Sequence, residues 1–213
     1  MIAQKPPERI RGPNLAVFIT KANGVPMEEA IQRADEAGLV VASNKRLDKA
    51  LVRSEEWKQI RDVFLCWTGT FTGYEAPGQK LGKIIESTDS KTGIRYVFPV
   101  PEENQGKKNI ILVTEHPDFT LVKDGNDRIV QAVTVDAVEK FPTSGGGLFR
   151  VDPKYDIPQG NMVIRRYKSA RCLWRTIENV GLVVRGVGGP GLWPYVLLGC
   201  EPSSARGVAV ESP

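Results

Sequence analysis

Histidine is nearly absent from this chain of 213 residues, with His116 the single example, and cysteine is scarce, with Cys66, Cys172 and Cys200 far apart. One imidazole and no CxxC spacing leave no ordinary Cys/His zinc site to assemble. An odd cysteine count argues against a disulfide framework. No apolar run reaches the length of a membrane span, and no signal peptide opens the chain, so the expectation is cytoplasmic synthesis, with virion or cell-surface display left open. Internal repeats are missing too. Phosphate-cradling loops are also lacking, because Gly145, Gly146 and Gly147 have neither the GxxxxGK[ST] nor the GxGxxG spacing.

What is present is globular in proportion. Apolar residues make up 41% and charged residues 25%, enough for a core without staples. The net charge of +4 permits weak attraction to anions, but Lys and Arg are interspersed with acids, so nucleic acid is not the expected partner. Adjacent carboxylates such as Glu28-Glu29, Glu55-Glu56 and Glu102-Glu103 point in different directions and read as solvated faces. The Asp124–Asp127 cluster is explained by its turn without calcium. His116, followed by Pro117 and Asp118, reads as a hydrogen-bonded residue at a strand end. No nucleophile–base pair is evident, so the chain is expected to be a non-enzyme without cofactor or metal.

Local patterns predict an α+β fold in one domain over residues 1–213. Residues 1–13, with Pro6, Pro7 and Pro13, read as an extended arm, and Leu15–Thr20 as a strand. Met27, Ala30, Ile31, Ala34 and Ala37 recur at helical spacing and Gly38 suits a C-cap. Ser43 or Asn44 can cap a second helix. Ser54 can cap a third, bearing Trp57, Ile60 and Phe64. From Leu65 the pattern turns to β. Strands are expected at 66–74, 94–100 and 109–114, and a hairpin at 119–135 turning at Lys123–Asp127. Residues 142–161, rich in Gly and Pro, read as a long loop. Strands at 180–186 and 208–210 close the chain.

Val187 to Cys200 carries no charge, four glycines, two prolines and the rings of Trp193 and Tyr195. Two readings fit. Either its apolar side chains sit on surface loops and form a binding patch, or it is a buried β-hairpin with a Gly-rich turn.

The tail Leu173-Trp174-Arg175, then Val183-Val184-Arg185-Gly186, then Pro202 to Val208 resembles the end of a C-type lectin domain. More narrowly it is similar to the variable proteins of diversity-generating retroelements and to the formylglycine-generating-enzyme-like fold. It departs from their pattern in having Val187 after Arg185-Gly186, and Gly207-Val208 in place of Gly-Phe-Arg. The resemblance covers about the last 40 residues. It implies a C-type lectin-like fold with short N-terminal helices and mainly antiparallel strands, and a ligand-binding variable region within 171–213. The exchangeable positions it implies are Val187, Gly188, Gly189, Leu192, Trp193, Tyr195, Leu197, Gly199 and Cys200. Val196 and Leu198 would alternate inward, and Trp174 and Val208 would belong to the scaffold. The implied activity is display of a retroelement-diversified recognition surface, with a protein as the expected ligand. Two alternatives stay open: a formylglycine-generating-type enzyme using Cys172 and Cys200, and a basic nucleic-acid module using Arg165, Arg166, Lys168, Arg171 and Arg175.

Overall fold

A computed structural model describes residues 8–12, 15–19, 27–53, 65–90, 92–143, 146–163, 170–175, 180–188, 193–198 and 207–211. The chain is α+β with few helices and mainly antiparallel strands. Strands β1 (Glu8–Gly12) and β2 (Leu15–Ile19) lead into helix α1 (Met27–Glu36), strand β3 (Val40–Val41) and helix α2 (Asn44–Arg53). Then follow β4 (Leu65–Tyr74), β5 (Ile84–Thr88), β6 (Arg95–Pro99), β7 (Ile111–Glu115), β8 (Phe119–Asp124), β9 (Asp127–Ala132) and β10 (Asp136–Val138). The last third holds β11 (Gly147–Val151), β12 (Pro158–Met162), β13 (Ala170–Arg175), β14 (Val180–Gly188), β15 (Trp193–Leu198) and β16 (Gly207–Glu211).

Helix α1 forms where the apolar period predicts it. Met27, Ala30, Ile31 and Ala34 are buried. Ala37 is exposed, because the helix has already closed. Gly38 at φ +63° takes the left-handed turn. Leu39 N–H then donates to Ala34 O at 2.8 Å and Gly38 N–H to Asp35 O at 3.0 Å, the paired bonds of a Schellman ending. Ser43, not Asn44, caps α2: its Oγ accepts from Arg46 N–H at 3.3 Å and its carbonyl from Leu47 N–H at 2.9 Å. The third helix predicted from Ser54 lies outside the described residues, as do Asn23, Gly24 and Pro26.

The strands form a sheet of twelve, ordered β1-β2-β16-β4-β14-β15-β13-β11-β12 with β3, β7 and β10 attached, and a sheet of four, β5-β6-β9-β8. Three pairings are parallel: β13 with β15, β4 with β16, and β6 with β9. The predicted hairpin is β8–β9. Its loop is Gly125-Asn126, with positive φ at Gly125 alone, which is the requirement of a type II′ turn.

Strand β4 is the axis of the molecule. Trp67 and Phe71 enter a core with α1 and the small sheet, where Phe71 meets Phe98 at 4.9 Å and Phe119 at 5.1 Å between ring centroids. Thr68, Thr70 and Thr72, alternating with them, are buried on the opposite face. Tyr74 continues that face into a second core with Ile111, Val113, Val138, Phe141, Phe149, Tyr155, Ile157 and Leu173. Burial on both faces explains why β4 reads as threonine, glycine and aromatics without charge.

The long loop expected at 142–161 is instead a hairpin, β11 with β12, shifted in register between Phe149 and Arg150. Its glycines and prolines are compatible with an edge strand. Pro158 stands first in β12, at the rim of the sheet, where proline's missing N–H costs least. Gly147 leaves room for Met162, whose Sδ would lie 2.4 Å from any added Cβ.

Candidate functional site

The β14–β15 hairpin carries the uncharged run. Register pairs Gly188 with Trp193, Val187 with Pro194, Gly186 with Tyr195, Arg185 with Val196 and Val184 with Leu197. Residues 187–188 and 193–198 are therefore strand. Their backbone takes the hairpin form, the second of the two readings that composition allowed. Pro194 is opposite Val187 of β14 and precedes Tyr195, where the pairing of β15 with β13 begins.

Alternation along the strands divides the implied exchangeable set. Gly188, Trp193, Tyr195 and Leu197 fall in rows of one parity, while Val187 shares the opposite parity with Pro194. Leu197 belongs to the row Trp67–Val184–Leu197–Trp174, whose member Trp67 is fully buried. Val196 belongs to the next row, Cys66–Arg185–Val196–Leu173, whose member Leu173 is fully buried against the other core. Gly189, Leu192, Gly199 and Cys200 lie outside the described residues. Cys172 is paired with Tyr195 in the register of β13 and β15. Of the basic residues singled out from sequence, Arg171 and Arg175 lie on β13, and Arg165, Arg166 and Lys168 are outside the described residues.

The end of β14 at Gly188 and the start of β15 at Trp193 pair at one end of the large sheet, and residues 189–192 lie outside the described residues. The start of β4 (Gly186 opposite Leu65), the start of β16 (Gly207 opposite Cys66) and the start of β13 reach the same end. Five adjacent strands, β16, β4, β14, β15 and β13, thus have an end there. That arrangement restricts backbone motion, since inner strands exchange their hydrogen bonds on both sides.

Two polar clusters elsewhere show what the remaining chemistry-bearing residues do. His116 follows β7, as the sequence suggests, and is nearly buried. Its Nδ1 accepts from Val41 N–H at 3.2 Å and its Nε2 lies 3.2 Å from Asp35 Oδ1. This assigns a neutral ring that donates from Nε2. Burial pushes the imidazole below its ordinary value of 6.5, and the half-exposed Asp35 carboxylate pulls the other way. The ring stands where β16 and β7 meet end to end along β4. There Gly69 N–H donates to Ala42 O at 2.8 Å and His116 N–H to Gly69 O at 2.9 Å. With both nitrogens engaged, His116 serves as a fastener between α1, β3 and β4.

The second cluster joins β10 to the loop between β11 and β12. Asp136 accepts from both Lys154 Nζ and Tyr155 OH. Asp152 Oδ2 fixes that loop by accepting from Lys154 N–H at 2.9 Å and Tyr155 N–H at 2.8 Å. The Lys154 and Tyr155 bonds hold the Asp136 carboxyl below the usual carboxylate range. Burial first, and the neighbouring carboxylate second, push the Tyr155 phenol up to about 12. A phenol so hard to ionise is a poor acid and supplies no phenolate base near neutral pH, and the cluster reads as a tie between segments. Sequence reasoning passed over it, because its members are adjacent only after folding. Among the described residues no group of three or more His, Cys, Asp or Glu could hold a metal ion.

Neither protein-family models, nor curated proteins, nor solved structures match this chain. No described helix is long and apolar enough to cross a membrane.

Proposed function

We propose that this protein is a ligand-binding recognition protein, with a C-type lectin-like scaffold that presents the turn of the β14–β15 hairpin and the positions beside it. The observation that carries this reading is the placement of the uncharged run. Its strands are the middle of a twelve-stranded sheet, and Gly188 and Trp193, which flank the Gly/Pro-rich residues 189–192 in sequence, pair at that sheet's end. A backbone anchored in this way lowers the ordering cost of association, so side chains near the turn can change without refolding. The resemblance of the tail to retroelement-diversified proteins supplies the reason they would change, with a protein as the ligand. The positions nearest the turn are Val187, Gly188, Gly189, Leu192, Trp193 and Tyr195.

Recognition without chemistry is supported by the fully engaged state of His116, which leaves that imidazole no lone pair for general base work. Sequencing the locus across related strains tests the reading. Substitutions should concentrate between residues 187 and 200, beside a reverse transcriptase and an imperfect repeat of that coding segment. Substitutions spread evenly along the chain would refute it.

A further inference from the structure

Two adjoining cavities, of about 410 and 500 Å³, run along the surface beside β11 and β12 and share one residue, Lys140. Lys107, Lys108 and Asn109 line the first, Arg150, Gln159 and Asn161 the second. None of these residues belongs to the β14–β15 hairpin. The cations are exposed and arranged in file. Arg150 is opposite Gln159, Gly160 N–H donates to Lys140 O at 2.7 Å, Phe141 N–H donates to Asn109 O at 2.7 Å, and Lys108 bridges to Lys80. Successive neighbouring segments are spaced by about 4.8 Å, so the file from Arg150 to Asn109 extends for roughly 15 Å. Glu139 is the only acid among the described residues of either lining, and it is largely exposed, 4.0 Å from Lys107 Nζ.

The backbone supplies the second observation. Lys140 holds φ +58° and Asn109 φ +55°, on either side of the hydrogen bond that joins their segments. Asparagine tolerates the left-handed region, whereas lysine is strained there and glycine would not be. A lysine at a position where glycine would be easier, at the junction of two cation-lined cavities, points to a use for its ammonium group.

We infer that this groove binds a chain of phosphate groups. The linear file suits an extended polyanion better than one compact ion. The side-chain amides of Asn109 and Asn161 add donors for non-bridging oxygens. Among the described residues neither lining contains an aromatic ring, so they offer bases no platform on which to stack, and the contact they make is with the phosphates, independent of sequence.

The test uses the full chain, a fluorescein-labelled thymidine oligonucleotide of about twelve nucleotides, inorganic polyphosphate and poly-glutamate. The expected result is binding of the oligonucleotide with log K falling against log salt at a slope of about −2, as three phosphate contacts would give. Lys140→Gly should weaken binding and make the slope shallower by about 0.7, while Tm stays level or rises because the strain is relieved. Arg150→Gln should weaken binding in the same way. Polyphosphate binding without oligonucleotide binding supports the phosphate chain and assigns its source. Failure of both to bind overturns the inference. So does binding that both variants leave unchanged, or displacement of the oligonucleotide by poly-glutamate as effectively as by polyphosphate.

Discussion

Replacing Gly69 with alanine should be among the costliest single-methyl additions in this protein. A Cβ built at Gly69 would lie 2.0 Å from Val41 O, 2.9 Å from Val41 C and 3.2 Å from His116 Cβ. The first two obstacles are backbone, so no side chain can swing aside. Relief requires β3 to withdraw from β4 by about an ångström or more. That movement stretches the bond from Gly69 N–H to Ala42 O and disturbs the one from Val41 N–H to His116 Nδ1, both within the buried junction. Each such bond contributes about 1 kcal/mol, and forced repacking adds about 1–3 kcal/mol. A loss of roughly 3–5 kcal/mol follows. Urea denaturation followed by circular dichroism, with the m-value held constant, measures it. A loss under about 1 kcal/mol would show that β3 is not seated on Gly69 as described.

Other consequences are equally direct. The single imidazole should titrate below 6.5 in an NMR pH series, and Asp35→Asn should lower it further by removing the carboxylate that favours the charged ring. Because folding depresses this value, the stability due to His116 is fully present above about pH 6.5 and declines as pH falls from there towards the depressed value; His116→Asn should remove that part of the acid dependence, and an unchanged profile would contradict the assignment. In an ultraviolet alkaline titration Tyr155 should ionise near 12, later than an ordinary tyrosine, and Tyr155→Phe should delete that late transition. Gly73→Ala, whose Cβ would meet the Phe98 ring at 2.9 Å, should cost less than Gly69→Ala in the same denaturation assay, because a ring can move where a backbone cannot.

Much of the N-terminal half is legible from local rules. The apolar period and Gly38 locate α1 and its ending, Ser43 marks the start of α2, and the Gly125-Asn126 loop places the β8–β9 hairpin. Local rules fail where partners decide the outcome. Residues 142–161 look like loop because Gly147 and Pro158 discourage strands in isolation, yet a sheet rim accommodates a leading proline, and a close-lying Met162 favours a glycine opposite it. The same holds for 187–200. Composition picks out the segment, but strand or loop depends on β4 and β13, which provide its neighbours from elsewhere in the chain. The tie from Asp136 to Lys154 and Tyr155, the junction at His116, and the apposition of Asn109 with Lys140 have no sequence signature, since each joins residues that only the fold brings together.

The recognition proposal asks that positions near the β14–β15 turn be free to vary on a fixed frame. Equilibrium unfolding of Tyr195→Ser beside Leu173→Ser compares one implied ligand-facing position with one fully buried scaffold position in the neighbouring strand. Tyr195→Ser should change stability by no more than about 0.5–1 kcal/mol, against a loss of roughly 2–5 kcal/mol for Leu173→Ser. Equal, large losses from both would make the hairpin part of the core and contradict the account.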